Sequence, residues 1–349
     1  MAASGSIIDR IIAINGEESD RYVAADSARR RHWAKHPTGF AALKCMDGRV
    51  HVPTMTQTAI GLVKPFRAIG GRFELWWPAF AKRMWNWVKA VRDRGDRCVV
   101  LVTYHYSASN PHLGCAGWNH DTAAARAHAE RLAAGFDRVF GEQVTAMVTG
   151  VETDRDILTL HGTHGDVSGA HLIGKSDGAA QAELAAAFPR MDDRALADCM
   201  PFLIGNAAHV AAVTEHPRKV SALDHDERVI AIGHGFDYWV AHRNVAVIVN
   251  DVDPNLDVPI ETAARILERN LVTAVADDDV LLLASVPYST HGIERALAIE
   301  RARGLNGFAQ LVIRNRNPKL VDTGRLHALV GITFERTKRL EVIESSVVR

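Results

Sequence analysis

Three stretches of this chain recur in the same order at nearly constant spacing, and that recurrence limits the fold more than any other feature. Phe40 to Arg49 is answered by Arg228 to Asp237, Arg97 to Ser107 by Asp279 to Ser289, and Met147 to Leu160 by Val330 to Ile343, at offsets of 188, 182 and 183 residues. Near-constant offsets over three elements point to one structural unit used twice. Within the first unit, the apolar run ending at Cys45 and the run Cys98 to Thr103 read as buried strands. Pro78 to Arg92 places Phe80, Met84, Trp87, Val88 and Val91 at helical spacing, and Asp121 to Val139 reads as a second, alanine-rich helix. Val144 to Glu152 and Asp156 to Leu160 follow as a strand and hairpin. This alternation predicts an α/β fold, a mostly parallel sheet flanked by helices, tandemly duplicated as a pseudo-dimer. The expected divisions are a helical arm over 1–35, carried by Ile7, Ile11 and Ile12, a first α/β domain over 36–165, and a second copy over 166–349.

Composition narrows the range of functions. The chain has 349 residues, 47% of them hydrophobic, and a formal net charge of zero with both signs interspersed. It shows no basic footprint for nucleic acid and none for an anionic membrane surface. No run of eighteen apolar residues occurs, and Met1-Ala-Ala-Ser-Gly-Ser6 is not the start of a secretory leader, so a cytoplasmic location is expected. Four cysteines, at 45, 98, 115 and 199, are too sparse for a disulfide scaffold and fit thiolate chemistry in a reducing compartment.

Two short motifs carry that chemistry. Cys45-Met-Asp-Gly-Arg49 ends the first strand, and His112-Leu-Gly-Cys115 follows the second. Two thiolates and one imidazole are soft-to-borderline donors that suit Zn2+, and three protein ligands leave a fourth position open for water. If the strand stays extended, Asp47 and Arg49 lie on the same row as Cys45. An Asp–Arg pair there could orient a nucleophile. Cys98 and Cys199 have no partner motif and read as small buried hydrophobes.

Cys45, Asp47, Arg49, His112 and Cys115 match the Cys-x-Asp-x-Arg and His-x-x-Cys pattern of the β-class carbonic anhydrases, which the chain resembles over roughly residues 36–165. Phe66-Arg-Ala-Ile-Gly-Gly71 is similar to a looser version of that family's Arg-Asn-Ala-Gly turn. A ligand-bearing copy followed by one without ligands resembles the carboxysome shell carbonic anhydrase branch more closely. One departure leaves the third ligand open. In the family the histidine directly follows the strand, where this chain has His105, whereas the short motif selects His112.

The resemblance implies a zinc-dependent carbonate dehydratase in which zinc-bound hydroxide, held by Cys45, Cys115 and His105 or His112, attacks carbon dioxide to give bicarbonate. Asp47 would orient the hydroxide and Arg49 would restrain Asp47, with Gly70, Gly71 and Gly117 as candidate substrate-binding positions. It also implies a homo-oligomer and carboxysome components as partners. His120 and Asp121 form a candidate proton-transfer pair, although Asp121 also fits the N-cap of the following helix. Two alternatives stand on such a scaffold: hydrolysis of carbonyl sulfide or carbon disulfide, and a non-catalytic zinc module of a carbon-fixing compartment. The Cys-to-Arg spacing, too short for a phosphate-cradling loop, argues against a cysteine-dependent phosphatase. Phe73, Trp76, Trp77, Trp85 and Trp87 are assigned to the core or to a subunit interface. In the second copy, Gly233, Gly235 and Asp237 stand opposite Cys45, Asp47 and Arg49, and without a cysteine His234 and Asp237 make a poor second site.

Overall fold

Apolar runs buried on both faces favour parallel strands with helices on either side, and both halves of the chain follow that rule. The computed structural model describes residues 6–217, 227–240, 245–273 and 279–349. The chain divides into two compact units, one between 27 and 224, the other formed by 1–26 together with 225–349. The helices near the N-terminus are α1 (Ile7–Ala24) and α2 (Asp26–Lys35).

The first unit is built on β1 (Thr38–Cys45), β2 (Val63–Ala68), β3 (Arg97–Tyr106), β4 (Thr145–Glu152), β5 (Ile157–Gly162) and β6 (Gly165–Ser168). Their order is β2-β1-β3-β4-β5-β6. The first four are mutually parallel, and β5 and β6 close the sheet as antiparallel strands. Between them run α3 (Val52–Met55), α4 (Pro78–Arg92) and α5 (Thr122–Phe140). α4 buries Phe80, Met84, Val88 and Val91, the stripe its periodicity predicts. Of the aromatic group, Phe73 and Trp77 are buried while Trp76 and Trp85 are exposed.

The expected division after residue 165 does not match the units. β6 is followed by α6 (Gly169–Leu172), α7 (Asp177–Ala187) and α8 (Asp193–Glu215). Leu172, Ala180, Leu184, Leu196, Phe202 and Leu203 share one core with Phe40, Val99 and Met147. Alanine-rich helices carry little periodic signal, so nothing in the repeat pattern tied this segment to the first sheet. By length and apolarity α8 is comparable to a membrane span, yet half of it is buried inside the unit. There Asn206 donates to the carbonyls of Met55 and Asp156 and accepts from the Leu158 N–H.

Of the expected arm over 1–35, the described residues form α1 and α2, but α1 belongs to the second unit. Its Ile11 packs with Val229, Ala231, Leu281 and Leu329. The strands there are β7 (Val229–Gly233), β8 (Ala246–Val249), β9 (Val280–Tyr288), β10 (Leu326–Phe334) and β11 (Leu340–Val347), with α9 (Asp257–Thr273), α10 (Ile293–Arg316) and α11 (Pro318–Asp322). The order β8-β7-β9-β10-β11 repeats β2-β1-β3-β4-β5. The senses repeat as well: three parallel pairings, then one antiparallel. Val99 stands opposite Thr145 and Val280 opposite Leu326, the same separation along the chain.

Candidate metal centre

β1 and β3 are adjacent parallel strands, so their carboxyl ends open on the same side of the sheet, where α/β proteins place their sites. Cys45 is the last residue of β1, and His105 lies one residue before the end of β3. The thiols of Cys45 and Cys115 are 3.9 Å apart, and with a ring nitrogen of His105 they form a donor group within 4.8 Å. All three residues are buried, at 6%, 3% and 4% exposure for Cys45, His105 and Cys115. Neither ring nitrogen of His105 has a hydrogen-bond partner. A fully buried imidazole left so is costly unless something else engages it. Two thiols and an unengaged imidazole at this spacing fit a zinc ion.

The two sulfurs shift each other in opposite directions. Cys45 is drawn well below its ordinary pKa by the hydrogen bond from Cys115, against the effect of burial, with the charge of His105 adding to the pull. Cys115 is pushed up by donating that bond and by burial. One member of the pair is therefore poised as a thiolate, the form that binds metal. Burial is the main cause that raises the other cysteines, Cys98 to about 11 with Asp96 adding to it against Arg92 and Arg94, and Cys199 further, with Asp198 adding to it.

Asp47 and Arg49 come together, but not as an extended row. The strand ends at Cys45 and the chain turns, so Arg49 folds back over Asp47. Its backbone N–H donates to Asp47 Oδ1 at 2.9 Å, Nη2 to Oδ2 at 2.7 Å, and Nε to Oδ1 at 3.1 Å. Nη2 also donates to the Leu113 carbonyl at 3.0 Å, joining this turn to the loop that carries Cys115. Asp47 Oδ2 is 4.0 Å from His105 Nε2, so the ion pair borders the donor group.

His112 lies elsewhere. It sits on a single 3₁₀ turn, Pro111–Leu113, and is exposed to solvent, where its ring meets that of His120 at 5.7 Å. The loop that displaces it is pinned by Asp154, which accepts from Ser107 Oγ and from the Ser109 N–H, each at 2.7 Å. The first of these bonds helps hold the Asp154 carboxyl below its ordinary range against burial. Asp121 caps α5, accepting from the Ala124 N–H at 2.9 Å.

Gly70 and Gly117 meet backbone to backbone. A Cβ on Gly117 would fall 2.6 Å from the Gly70 Cα, and Gly70 has φ +63°. Trp118 Nε1 closes the contact by donating to the Gly70 carbonyl at 2.7 Å. Gly71 lies under the same turn, against the backbone of Thr103 and Cys45. This packing accounts for the glycines. Among the described residues the second unit gathers no comparable donor group; His234 is paired with Asp251.

The sequence places Arg67 in the Phe66–Gly71 turn motif but gives it no role of its own; it is fully buried beneath the Cys45–Val50 turn. The available signal was a lone arginine on a strand whose neighbours Phe66 and Ala68 are apolar.

An α/β sheet with two thiols and an imidazole gathered at the carboxyl ends of neighbouring parallel strands is the arrangement of a β-carbonic-anhydrase-like domain. Residues 68–175 match the family model described as Carboxysome Shell Carbonic Anhydrase, catalytic domain. Over that segment, less than half of the chain, the protein is similar to the catalytic domain of this carbonic anhydrase family, a family of enzymes, in agreement with the resemblance read from the sequence. The matched segment contains His105 and Cys115, and folding brings Cys45, which precedes it, to them. No curated protein matches the chain.

Proposed function

We propose that the chain catalyses the reversible hydration of carbon dioxide, CO2 + H2O ⇌ HCO3− + H+, with zinc held by Cys45, His105 and Cys115. The observation that carries this reading is the buried three-donor group bordered by an ion-paired carboxylate. When bound there, zinc supplies the acidification that makes water a nucleophile near neutral pH.

The chain's own residues do the rest. Arg49 grips Asp47 through its backbone and two side-chain nitrogens, which holds the carboxylate in one rotamer. A carboxylate so held accepts a hydrogen bond from the attacking water and directs its lone pair at the carbon of CO2. The Leu113 carbonyl keeps Arg49 in place from the far side. The tight backbone of Gly70, Gly71 and Gly117 is the proposed wall against which CO2 rests. His120 is the proposed outlet for the proton, because its ring meets the exposed His112.

The family match supports a place among carboxysome components, and we extend the reading to a homo-oligomer and to an origin of the second unit by duplication, supported by its repeated strand order. The test is stopped-flow CO2 hydration by zinc-loaded protein beside Asp47→Asn, with metal content determined on both. Loss of roughly 10²-fold or more in kcat with zinc retained supports the reading. Absence of hydration by the metal-loaded wild type refutes it, and sulfide release from carbonyl sulfide would then name the substrate.

A further inference from the structure

Arg67 stands on β2 opposite Lys44 of β1, one position before the pairing of Ala68 with Cys45. Its side chain is wholly buried. Nη1 donates to the carbonyl of Cys45 at 2.8 Å and to that of Asp47 at 2.6 Å, and Nη2 donates to the carbonyl of Val50 at 3.0 Å. These carbonyls span the end of β1 and the turn that leaves it, where the Asp47 carbonyl also accepts from the Val50 N–H at 3.3 Å, and a buried carbonyl left unbonded is costly. Below the same turn Val50 packs with Met55, Val151 and Leu158. A planar guanidinium presents its donors in a rigid fork, whereas an ammonium is a single point. One rigid group therefore holds the residue that supplies the Cys45 thiol and the residue that supplies the Asp47 carboxylate.

We propose that Arg67 is a positioning residue for the hydration reaction: by binding the carbonyls of Cys45, Asp47 and Val50 together, it sets where the Asp47 carboxylate stands relative to the Cys45 sulfur. This role rests on the proposed metal centre. Arg67 touches neither substrate nor reacting atoms; it acts through the turn. Displacing a catalytic group by about 1 Å can cost on the order of 10²-fold in rate, and loss of the fork would allow such a displacement while leaving all three metal donors on the chain.

The test compares wild type, Arg67→Lys and Arg67→Ala, loaded with cobalt to read the metal site by absorption and with zinc to read kinetics. The expected result is that both variants keep the thiolate-to-cobalt band while kcat falls about 10- to 10²-fold with KM little changed. Guanidinium ion added to Arg67→Ala should restore part of kcat, and an equal concentration of sodium ion should not. If Arg67→Ala does not fold, Arg67→Lys decides by the same readings. Arg67→Lys with wild-type kcat and an unchanged cobalt spectrum overturns the proposal. Equal loss of metal and activity in Arg67→Lys also overturns it, because the residue would then be only structural. A wild-type protein that gives no thiolate-to-cobalt band defeats the metal-centre reading itself, an outcome distinct from either.

Discussion

Nε2 of His105 lies 4.0 Å from Oδ2 of Asp47, although one residue ends a central strand and the other belongs to a turn on the neighbouring strand. With the grouping of a ring nitrogen and the two sulfurs within 4.8 Å, that distance sets the imidazole beside both the sulfurs and the carboxylate. His112, the histidine of the short motif, has no part in this arrangement.

The third donor can therefore be tested directly. His105→Ala should lose most of its bound zinc, whereas His112→Ala should retain one zinc per chain. Measured by elemental analysis after gel filtration, the reverse pattern would place the donor in the loop and contradict the grouping of His105 with the two cysteines.

Asn206 is one of the polar ties of α8 to the rest of the first unit, beside Asp198, which accepts from Thr38 Oγ1 at 2.6 Å, and His209, which pairs with Asp156 at 2.8 Å. It is 0% exposed, and its amide serves three backbone groups, on Met55, Asp156 and Leu158. Gly169 has no side chain because a Cβ there would lie 2.0 Å from Asn206 Oδ1. Asn206→Ala leaves those three groups buried and unbonded, at roughly 1–3 kcal/mol each before relaxation. A loss of about 3 kcal/mol or more is expected, seen as a fall of roughly 6–12 °C in the melting temperature. A shift below about 2 °C would mean that the helix is held by its apolar face together with the Asp198–Thr38 and His209–Asp156 contacts.

His128 on α5 is buried against Trp118, with ring centroids 5.2 Å apart. Burial first, then the charges of Arg131 and Arg72, lowers its pKa from 6.5 to about 4. As pH falls below 6.5 the unfolded chain takes up a proton that the folded chain refuses, so stability declines on acidification until the pH nears 4, then levels off. The contribution is roughly 2 kcal/mol after discounting for residual solvent contact. Urea unfolding at several pH values should show this decline in wild type and a shallower one in His128→Gln. Parallel curves for the two proteins would assign the acid sensitivity to other groups.

Much of this protein is written locally. The helix over Pro78–Arg92, the cap at Asp121, the runs that become β1, β3 and β4, and the meeting of Asp47 with Arg49 all follow from spacing within a few residues. The shared plan of the two sheets was legible too, because apolar runs recur at fixed intervals and need no knowledge of what packs on them. What the sequence alone determined was therefore the elements, their repetition, and a cysteine-based donor set with a carboxylate and a guanidinium beside it.

The tertiary structure decided which histidine joins that set, which unit claims residues 166–224, and which residue supports the turn. Each depends on groups far apart in the chain. His105 is chosen because a loop pinned by Asp154 carries His112 outward, and α6 to α8 join the first unit because their apolar side chains complete its core. Arg67 matters because β2 pairs with β1 and brings its guanidinium under three carbonyls. Local periodicity reports which face of an element is apolar; only the packed chain reveals what that face, or a lone charge upon it, is set against.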